Sequence, residues 1–522
     1  MKKILALLLA LVSLLGVIPY YLGGQVQQTL GKQHQVLSEK FYVDIVSHDY
    51  QRGVFSSTET VVVRLHPEVL SKIQSYLPDN IKNVVNQPIT IVHHIKHGLF
   101  ADGVKPVRAV VESEFQYEPD VAKTLARFFG QSAPIAMRNV IDLNGSGEMQ
   151  IAFANLDYEE LSGIKINWQD VKGVLKYQDQ FVGTDWQLSA PVSNVLFADK
   201  GSLNIQDFVF KSGHSDEQND YFGVDLSHFE VKWNDSLAYH IRLNDLVNLL
   251  TDLQVGAFIN PNGNIAPNHI VLNGLHYQTQ SQNNKQLLNT QGIFSFGKLQ
   301  YGEDDYGPLN IDFSLDNIDA KSLAALKQRW QQIAVIQMDA EQAKQQMLAA
   351  IRQEGAGIFT NNPLFTLNKF EFKTPDGEIH VNGKLTFKDL QAADLYQSSA
   401  MVKKIEADFQ FNVAKKLLES FAVNQARGLF AVEDNASNVE QEEINEIIKM
   451  LMNETINSMK TQGYLTMEGD AIQTHFLLQN NQITLNNQSF STQKDEFDAI
   501  EAEIDADAAS LSASMSGASV TQ

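Results

Sequence analysis

Three histidines in a span of five residues, His93, His94 and His97, are the first candidates for chemistry in this chain of 522 residues. On a helix, His93 and His97 would be i, i+4 neighbours and could share one metal ion. The flanking Ile89-Thr90-Ile91-Val92 and Ile95 favour a strand instead. There the two side chains share a face but stand about 13 Å apart, too far to chelate one ion, and His94 points to the other face. No metal is expected from this cluster. Glu440, Glu442, Glu443 and Glu446 group carboxylates, but acidic residues in a first helical turn complement the helix dipole. The chain holds no G-x-S-x-G elbow, no H-E-x-x-H, no phosphate-binding G-x-x-x-x-G-K-[ST] and no G-x-G-x-x-G. Gly355-Ala356-Gly357 runs into Ile358-Phe359-Thr360 and reads as a helix stop. With no cysteine there is no thiolate nucleophile, no disulfide and no Cys-ligated metal. A triad assembled from distant residues stays open. The expectation is a non-catalytic protein with no cofactor.

The elements that would position any site are mostly strands. Phe41, Val43 and Ile45 alternate onto one face, and Phe55, Val61, Val63 and Leu65 do so after a break at Asp49-Tyr50-Gln51-Arg52-Gly53, which has the content of a hairpin connection. Asn144-Gly145, Asn262-Gly263, Asn273-Gly274, Asn382-Gly383 and the Pro375-Asp376-Gly377 turn offer the positive φ angles of tight turns. Lys369 to Phe372 and Glu378 to Phe387 flank the last of these and make the clearest hairpin. Three segments change to helical period. Asp319 caps a helix carrying Leu323, Leu326, Trp330 and Ile333, which continues or breaks near Asp339 and ends at Gly355. A second spans roughly Val413 to Gly428 with Leu417, Leu418 and Phe421 as its stripe. A third opens on a capping box, Ser437 with Glu440, and carries Ile444, Ile447, Ile448, Leu451, Ile456 and Met459 to Gly463. Such stripes ordinarily pack on the protein's own sheet or a neighbouring helix, though they can also serve as partner-binding faces.

At the N-terminus, Lys2 and Lys3 precede an uncharged, mostly apolar run from Ile4 to Leu22. About 20 apolar residues suffice to cross a bilayer, and the lysines bias the start to the cytoplasm. The run is longer than a secretory h-region and lacks a good small-x-small cleavage site, so a retained signal anchor is favoured over a cleaved signal peptide. Tyr20 and Tyr21 sit where an interfacial aromatic belt belongs. The expected location is the bacterial inner membrane, single-pass, with the large C-terminal part in the periplasm. A net charge of -22 disfavours nucleic acid and anionic headgroups as partners. Seven of those charges, Asp495 to Asp507, lie in a tail that reads as solvated and disordered.

The stretch Tyr50-Gln51-Arg52-Gly53-Val54-Phe55-Ser56-Ser57, following an N-terminal anchor, resembles the Y-x-R-G-x-F-S-S signature of the bacterial YdgA family. Ile95-Lys96-His97-Gly98-Leu99-Phe100 is similar to that family's I-x-H-G-P segment, with Leu99 where proline is usual. Asn362-Pro363 through Phe387 looks like its late hairpin, and Asn481 to Asn486 like its terminal strand. The resemblance covers nearly everything except the acidic tail, and it implies a membrane-anchored exported protein of a domain of unknown function. The motif positions Tyr50, Arg52, Gly53, Phe55, Ser56, Ser57, His97 and Gly98 carry no known activity. Arg52-Gly53 and His97-Gly98 read equally as turn residues, glycine for geometry and arginine for pairing.

The expected fold is α+β, mostly antiparallel β: an elongated, twisted or curled meander sheet with several amphipathic helices and one N-terminal transmembrane helix. The expected organisation is residues 1–24 as anchor, 25–316 as a β-rich exported region, 317–490 as a helix and hairpin region, and 491–522 as tail. Two functions follow from different physics. In one, an apolar inner face curls into a groove that handles lipid or another hydrophobic ligand beside the membrane; this rests on a fold-level analogy to anchored β-rich envelope proteins of the AsmA type. In the other, the sheet and helices mediate self-association into a homo-oligomer or bind an envelope protein as a scaffold.

Overall fold

A computed structural model describes residues 17–41, 43–66, 86–103, 105–215, 219–233, 268–284, 286–335, 340–429 and 438–490. Residues 1–16 of the expected anchor, Asn262-Gly263, Asp339, Ser437 and the acidic tail lie outside the described residues. The chain divides into two compact units, residues 1–234 and 235–522.

The first unit begins with helix α1 (Ile18–Phe41), followed by β1 (Val43–Arg52), β2 (Ser56–Leu65), β3 (Ile89–His97) and β4 (Ala109–Gln116). Helix α2 (Pro119–Phe129) precedes β5 (Ile135–Ile141), β6 (Gly147–Phe153), β7 (Leu156–Glu159), β8 (Ile164–Gln169) and β9 (Lys172–Tyr177). The long strands β10 (Thr184–Phe197), β11 (Gly201–Ser215) and β12 (Asn219–Trp233) complete it. Strands β1 to β6 are successive antiparallel neighbours, and β6 pairs with β9. β10 pairs with β9 along its first half and with β8 along its second, then with β11, which pairs with β12.

α1 was not among the helices expected from sequence. Its inward stripe is Leu22, Val26, Thr29, Leu30 and Gln33, all buried, and two polar members blur the helical period that would mark it. Val26 and Leu30 pack with Ile95, Ala109, Val111 and Ile141, and Val36 reaches the cluster of Met149, Leu175, Tyr177 and Phe181. Gln33 keeps its amide satisfied on that face, donating to Met149 Sδ and accepting from Asn139 Nδ2. No helix among the described residues is long and apolar enough to cross a membrane. Residues 18–24, the end of the expected anchor segment, form the opening turns of α1 against the sheet. α2 was also missed; Pro119 starts it at a position where the absent N–H costs nothing.

The second unit pairs β13 (His269–Asn284), β14 (Leu287–Phe296), β17 (Leu309–Asp319), β18 (Leu364–Thr374), β19 (Gly377–Phe387), β20 (Ile405–Ala414) and β22 (Ala471–Gln479) in that order. The short β15 (Lys298–Tyr301) continues β14 along β13 and pairs with β16 (Asp304–Tyr306); β21 (Thr466–Glu468), β23 (Gln482–Leu485) and β24 (Gln488–Phe490) finish the other end. The hairpin expected at Pro375-Asp376-Gly377 is present, with Thr374 opposite Gly377. Asn144-Gly145 also turns the chain, between β5 and β6. Asn273-Gly274 and Asn382-Gly383 do not. Gly274 takes a positive φ inside β13 where that strand passes from β15 to β14. Gly383 sits within β19 because a Cβ there would meet Asp408 O at 2.4 Å.

The expected first helix, to Gly355, is two, α3 (Ala320–Val335) and α4 (Ala340–Gln353), and a further short helix, α5 (Ala356–Thr360), starts directly after the expected stop. Asp319 caps α3 as predicted, its Oδ1 accepting from Ser322 N at 2.7 Å. Leu326 and Ile333 bury with Ala350, while Trp330, placed on the apolar face from sequence, is exposed. After α6 (Ser398–Val402), the second and third expected helices are α7 (Lys415–Leu429) and α8 (Asn438–Thr461); Val413 belongs to β20. Ile456 packs with Leu465 and Ile472, whereas Ile447, Met450 and Leu451 of α8 are exposed.

Candidate functional site

The site lies where α1 crosses β1, β2 and β3. Its alignment depends on an irregularity in β1: the pairing runs Ile45 to Val63 and then Ser47 to Val62, leaving Val46 as an extra residue. A bulge of this kind moves every later side chain to the other face. His48, Tyr50 and Arg52 therefore join Val61, Glu59 and Ser57, the partners opposite them, on the face that α1 covers. The expected loop Asp49 to Gly53 is consequently strand as far as Arg52, with the turn confined to residues 53–55. Gly53 serves that turn, since a Cβ would meet Ser56 O at 2.3 Å.

The motif side chains grip the first turns of α1. Tyr50 Oη donates to Gly23 O at 3.0 Å, and Arg52 Nη2 donates to Tyr20 O at 2.8 Å with its guanidinium 3.8 Å above the Tyr20 ring. His97 Nδ1 donates to Pro19 O at 2.8 Å. A carbonyl can only accept, so in the neutral ring Nε2 carries the lone pair and accepts from Ser57 Oγ at 3.1 Å. Burial lowers the His97 pKa and favours that neutral form. Gly23 and Gly24 let the helix approach, because a Cβ at Gly23 would stand 2.9 Å from the His97 ring and one at Gly24 3.0 Å from Arg52 Nη1. Gly98 has a φ of 134° and lies beside Pro19. Phe55 contributes its backbone, its carbonyl accepting from His97 N, while its ring and Ser56 face outward. Tyr50, Arg52 and His97 thus act on α1 directly and Ser57 acts through His97, a role beyond the turn that sequence offers for Arg52-Gly53 and His97-Gly98.

One step further along α1 the same face holds a polar cluster. Glu59 and His93 oppose each other on β2 and β3, His48 comes from β1 and His34 from α1. The Glu59 side chain is 0% exposed, against 6% for His93, 12% for His34 and 37% for His48. His48 Nε2 lies 2.7 Å from Glu59 Oε1; His34 Nε2 and His93 Nε2 lie 3.8 and 3.9 Å from Oε2. Oε2 accepts no hydrogen bond. Burial raises the Glu59 pKa, and burial followed by the neighbouring histidines lowers those of His34 and His93 to about 4. His93 Nδ1 is engaged by Ser113 Oγ at 2.7 Å, which leaves Nε2 turned to the carboxylate. His34, Glu59 and His93 present three ligand atoms all within 4.8 Å of one another, so this group could hold a metal.

The family model for a bacterial protein of unknown function, DUF945, matches residues 1–493. The chain belongs to DUF945. No curated protein matches it. In this DUF945 chain, the expectation that His93 and His97 cannot share an ion agrees with their placement on one strand, where each joins a different group. His94 points outward, toward Glu114. Sequence reasoning missed His34, His48 and Glu59. The available signal was Glu59 at the same strand parity as Val61, a charged residue on an otherwise apolar face.

The DUF945 chain also forms an apolar cleft beneath α2. It has a volume of about 680 Å³ between α2 and β4, β5 and β6, and a smaller one of about 260 Å³ adjoins it. Tyr117, Leu125, Pro134 and Ile135 wall both. Tyr117 Oη is buried there with no hydrogen-bond partner, a costly arrangement for a hydroxyl unless a ligand or water meets it.

Proposed function

We propose that this protein is a bacterial inner-membrane protein, anchored by its apolar N-terminal run with both units in the periplasm, that binds a lipid or similar apolar ligand in the cleft beneath α2. The cleft carries this reading: its size suits a small-molecule ligand, Leu125, Pro134, Ile135 and Met137 give it an apolar wall beside the charged Glu112, Glu114 and Arg138, and Tyr117 Oη supplies one unpaired polar group to orient a ligand. The anchor and the finer resemblance to the YdgA family support the location. So does the set of exposed apolar side chains around the start of α1, namely Val17, Tyr20, Tyr21, Val54, Phe55 and Phe100. Side chains of this kind suit a membrane interface. No residue is assigned a catalytic role.

The test is native mass spectrometry with lipid extraction on the full chain, released gently from detergent. A stoichiometric apolar ligand on the wild type, lost in Leu125→Trp, supports the reading; a ligand-free chain, or equal ligand on the variant, rejects it. Proteolysis of intact spheroplasts tests the topology separately, since a periplasmic body must be cleaved from outside.

A second reading, an interaction or scaffold protein, is favoured by one observation. Ile447, Met450 and Leu451 form an exposed i, i+3, i+4 apolar stripe on α8. A homo-oligomer dispersed by Met450→Glu would support it, and an unchanged monomer would not.

A further inference from the structure

We infer that His34, His48, His93 and Glu59 form a closed zinc site that fastens α1 to strands β1, β2 and β3. The group stands outside the apolar cleft and does not depend on it.

The donor set fits zinc. Three imidazoles and a carboxylate supply four ligands, the number a structural zinc site takes, and with no cysteine in the chain the site is all nitrogen and oxygen. All three histidines turn Nε2 to Glu59, two toward Oε2 and one toward Oε1. Ligand atoms around a tetrahedral zinc stand roughly 3.3 Å apart, as bonds of about 2.0–2.2 Å require. The gaps of 3.8 and 3.9 Å need only side-chain adjustment, whereas His48 Nε2, held on Oε1 and outside the group of His34, Glu59 and His93 whose ligand atoms lie within 4.8 Å of one another, must swing from Oε1 to become the fourth ligand.

The surroundings point the same way. Glu59 Oε2 is fully buried and has no donor, although a hydrogen bond or a cation is what stabilises a buried carboxylate oxygen. It is aimed into the space that His34 and His93 face. Ser113 holds His93 from the far side through Nδ1, the outer contact that orients ligating histidines generally. His48, the most exposed of the four, leaves a route from solvent. Four protein donors leave no open position, so the ion is structural. Its ligands come from one helix and three strands, so it cross-links α1 to the sheet at a second point beyond the motif contacts.

The test uses the untagged full chain in detergent, stripped with chelator and dialysed against zinc alone. One zinc per chain is expected by elemental analysis, with a raised thermal midpoint in zinc, since a ligand that binds only the folded state stabilises it. Cobalt in place of zinc should give the intense visible band of a four-coordinate ion. His93→Ala and Glu59→Gln should weaken zinc by about tenfold or more, while His94→Ala, on the outward face, should bind as the wild type does. Glu59→Gln keeps the shape and removes the buried charge, so it remains informative if His93→Ala fails to fold. Absence of stoichiometric zinc from the wild type, a pale six-coordinate cobalt spectrum, or unchanged zinc affinity in Glu59→Gln would overturn the site.

Discussion

His97 Nδ1 and the carbonyl of Pro19 meet at 2.8 Å across 78 residues of sequence. That bond, with those from Arg52 and Tyr50, lets two strands of the sheet, β1 and β3, hold three backbone carbonyls in the first turns of α1. A family signature that looks like a turn is therefore a grip on a helix. The motif's two serines divide accordingly: Ser57 is buried on His97, and Ser56 faces solvent.

Arg52→Ala should destabilise the first unit by about 1–3 kcal/mol, the range for a charge-assisted hydrogen bond to a carbonyl. Thermal unfolding measures it. Arg52→Lys should recover part of the loss, because the ammonium can still sit over Tyr20 but cannot match the guanidinium's planar reach.

Two glycines of α1 should respond in opposite directions. Gly23→Ala forces its Cβ to within 2.9 Å of the His97 ring and should cost about 1–3 kcal/mol. Gly31→Ala meets nothing within 4 Å and should stabilise the helix by about 0.5–1 kcal/mol. Chemical denaturation of both variants separates the helix effect from the contact, and equal changes would contradict the docking of Pro19 to Gly24.

In the second unit, Asp319→Ala removes the acceptor for Ser322 N at the start of α3. The expected loss is about 1 kcal/mol, readable as a lowered unfolding midpoint, while Asp319→Asn should retain most of the stability.

Acidification should unfold the metal-stripped protein through His34 and His93. Their folded pKa values lie at about 4, against 6.5 for the free side chain. The unfolded chain then binds more protons between those limits, so stability falls as pH drops from 6.5 toward 4. Glu59 acts with the opposite sign: its pKa is raised by burial, so its protonated folded form gains stability as pH falls. Two histidines oppose one carboxylate, and the net slope should remain destabilising. Urea midpoints between pH 7 and 4.5 test this, and His93→Phe should flatten the slope.

The sequence disclosed the β content, the late hairpin, the Asp319 cap and the placement of His93 and His97 on one strand, because each depends on neighbours a few residues away. It did not disclose α1, whose buried stripe includes Thr29 and Gln33 and whose polar groups are satisfied by Asn139, Met149 and Arg108 from distant strands. The His34, His48, Glu59 and His93 group was hidden for the same reason. Its members are brought together only by strand pairing and by the helix lying across it. Trp330 shows the converse error, since helical period places a residue on a face without stating what lies opposite.

Val46 has a consequence for how this family can vary. The extra residue sets the phase of everything between Ser47 and Arg52, so losing it would leave every motif letter intact while turning His48, Tyr50 and Arg52 toward solvent. Substitutions in this segment remove one contact at a time. A single deletion would disable the helix grip and the histidine–glutamate group together, so β1 should tolerate changes of letter more readily than changes of length.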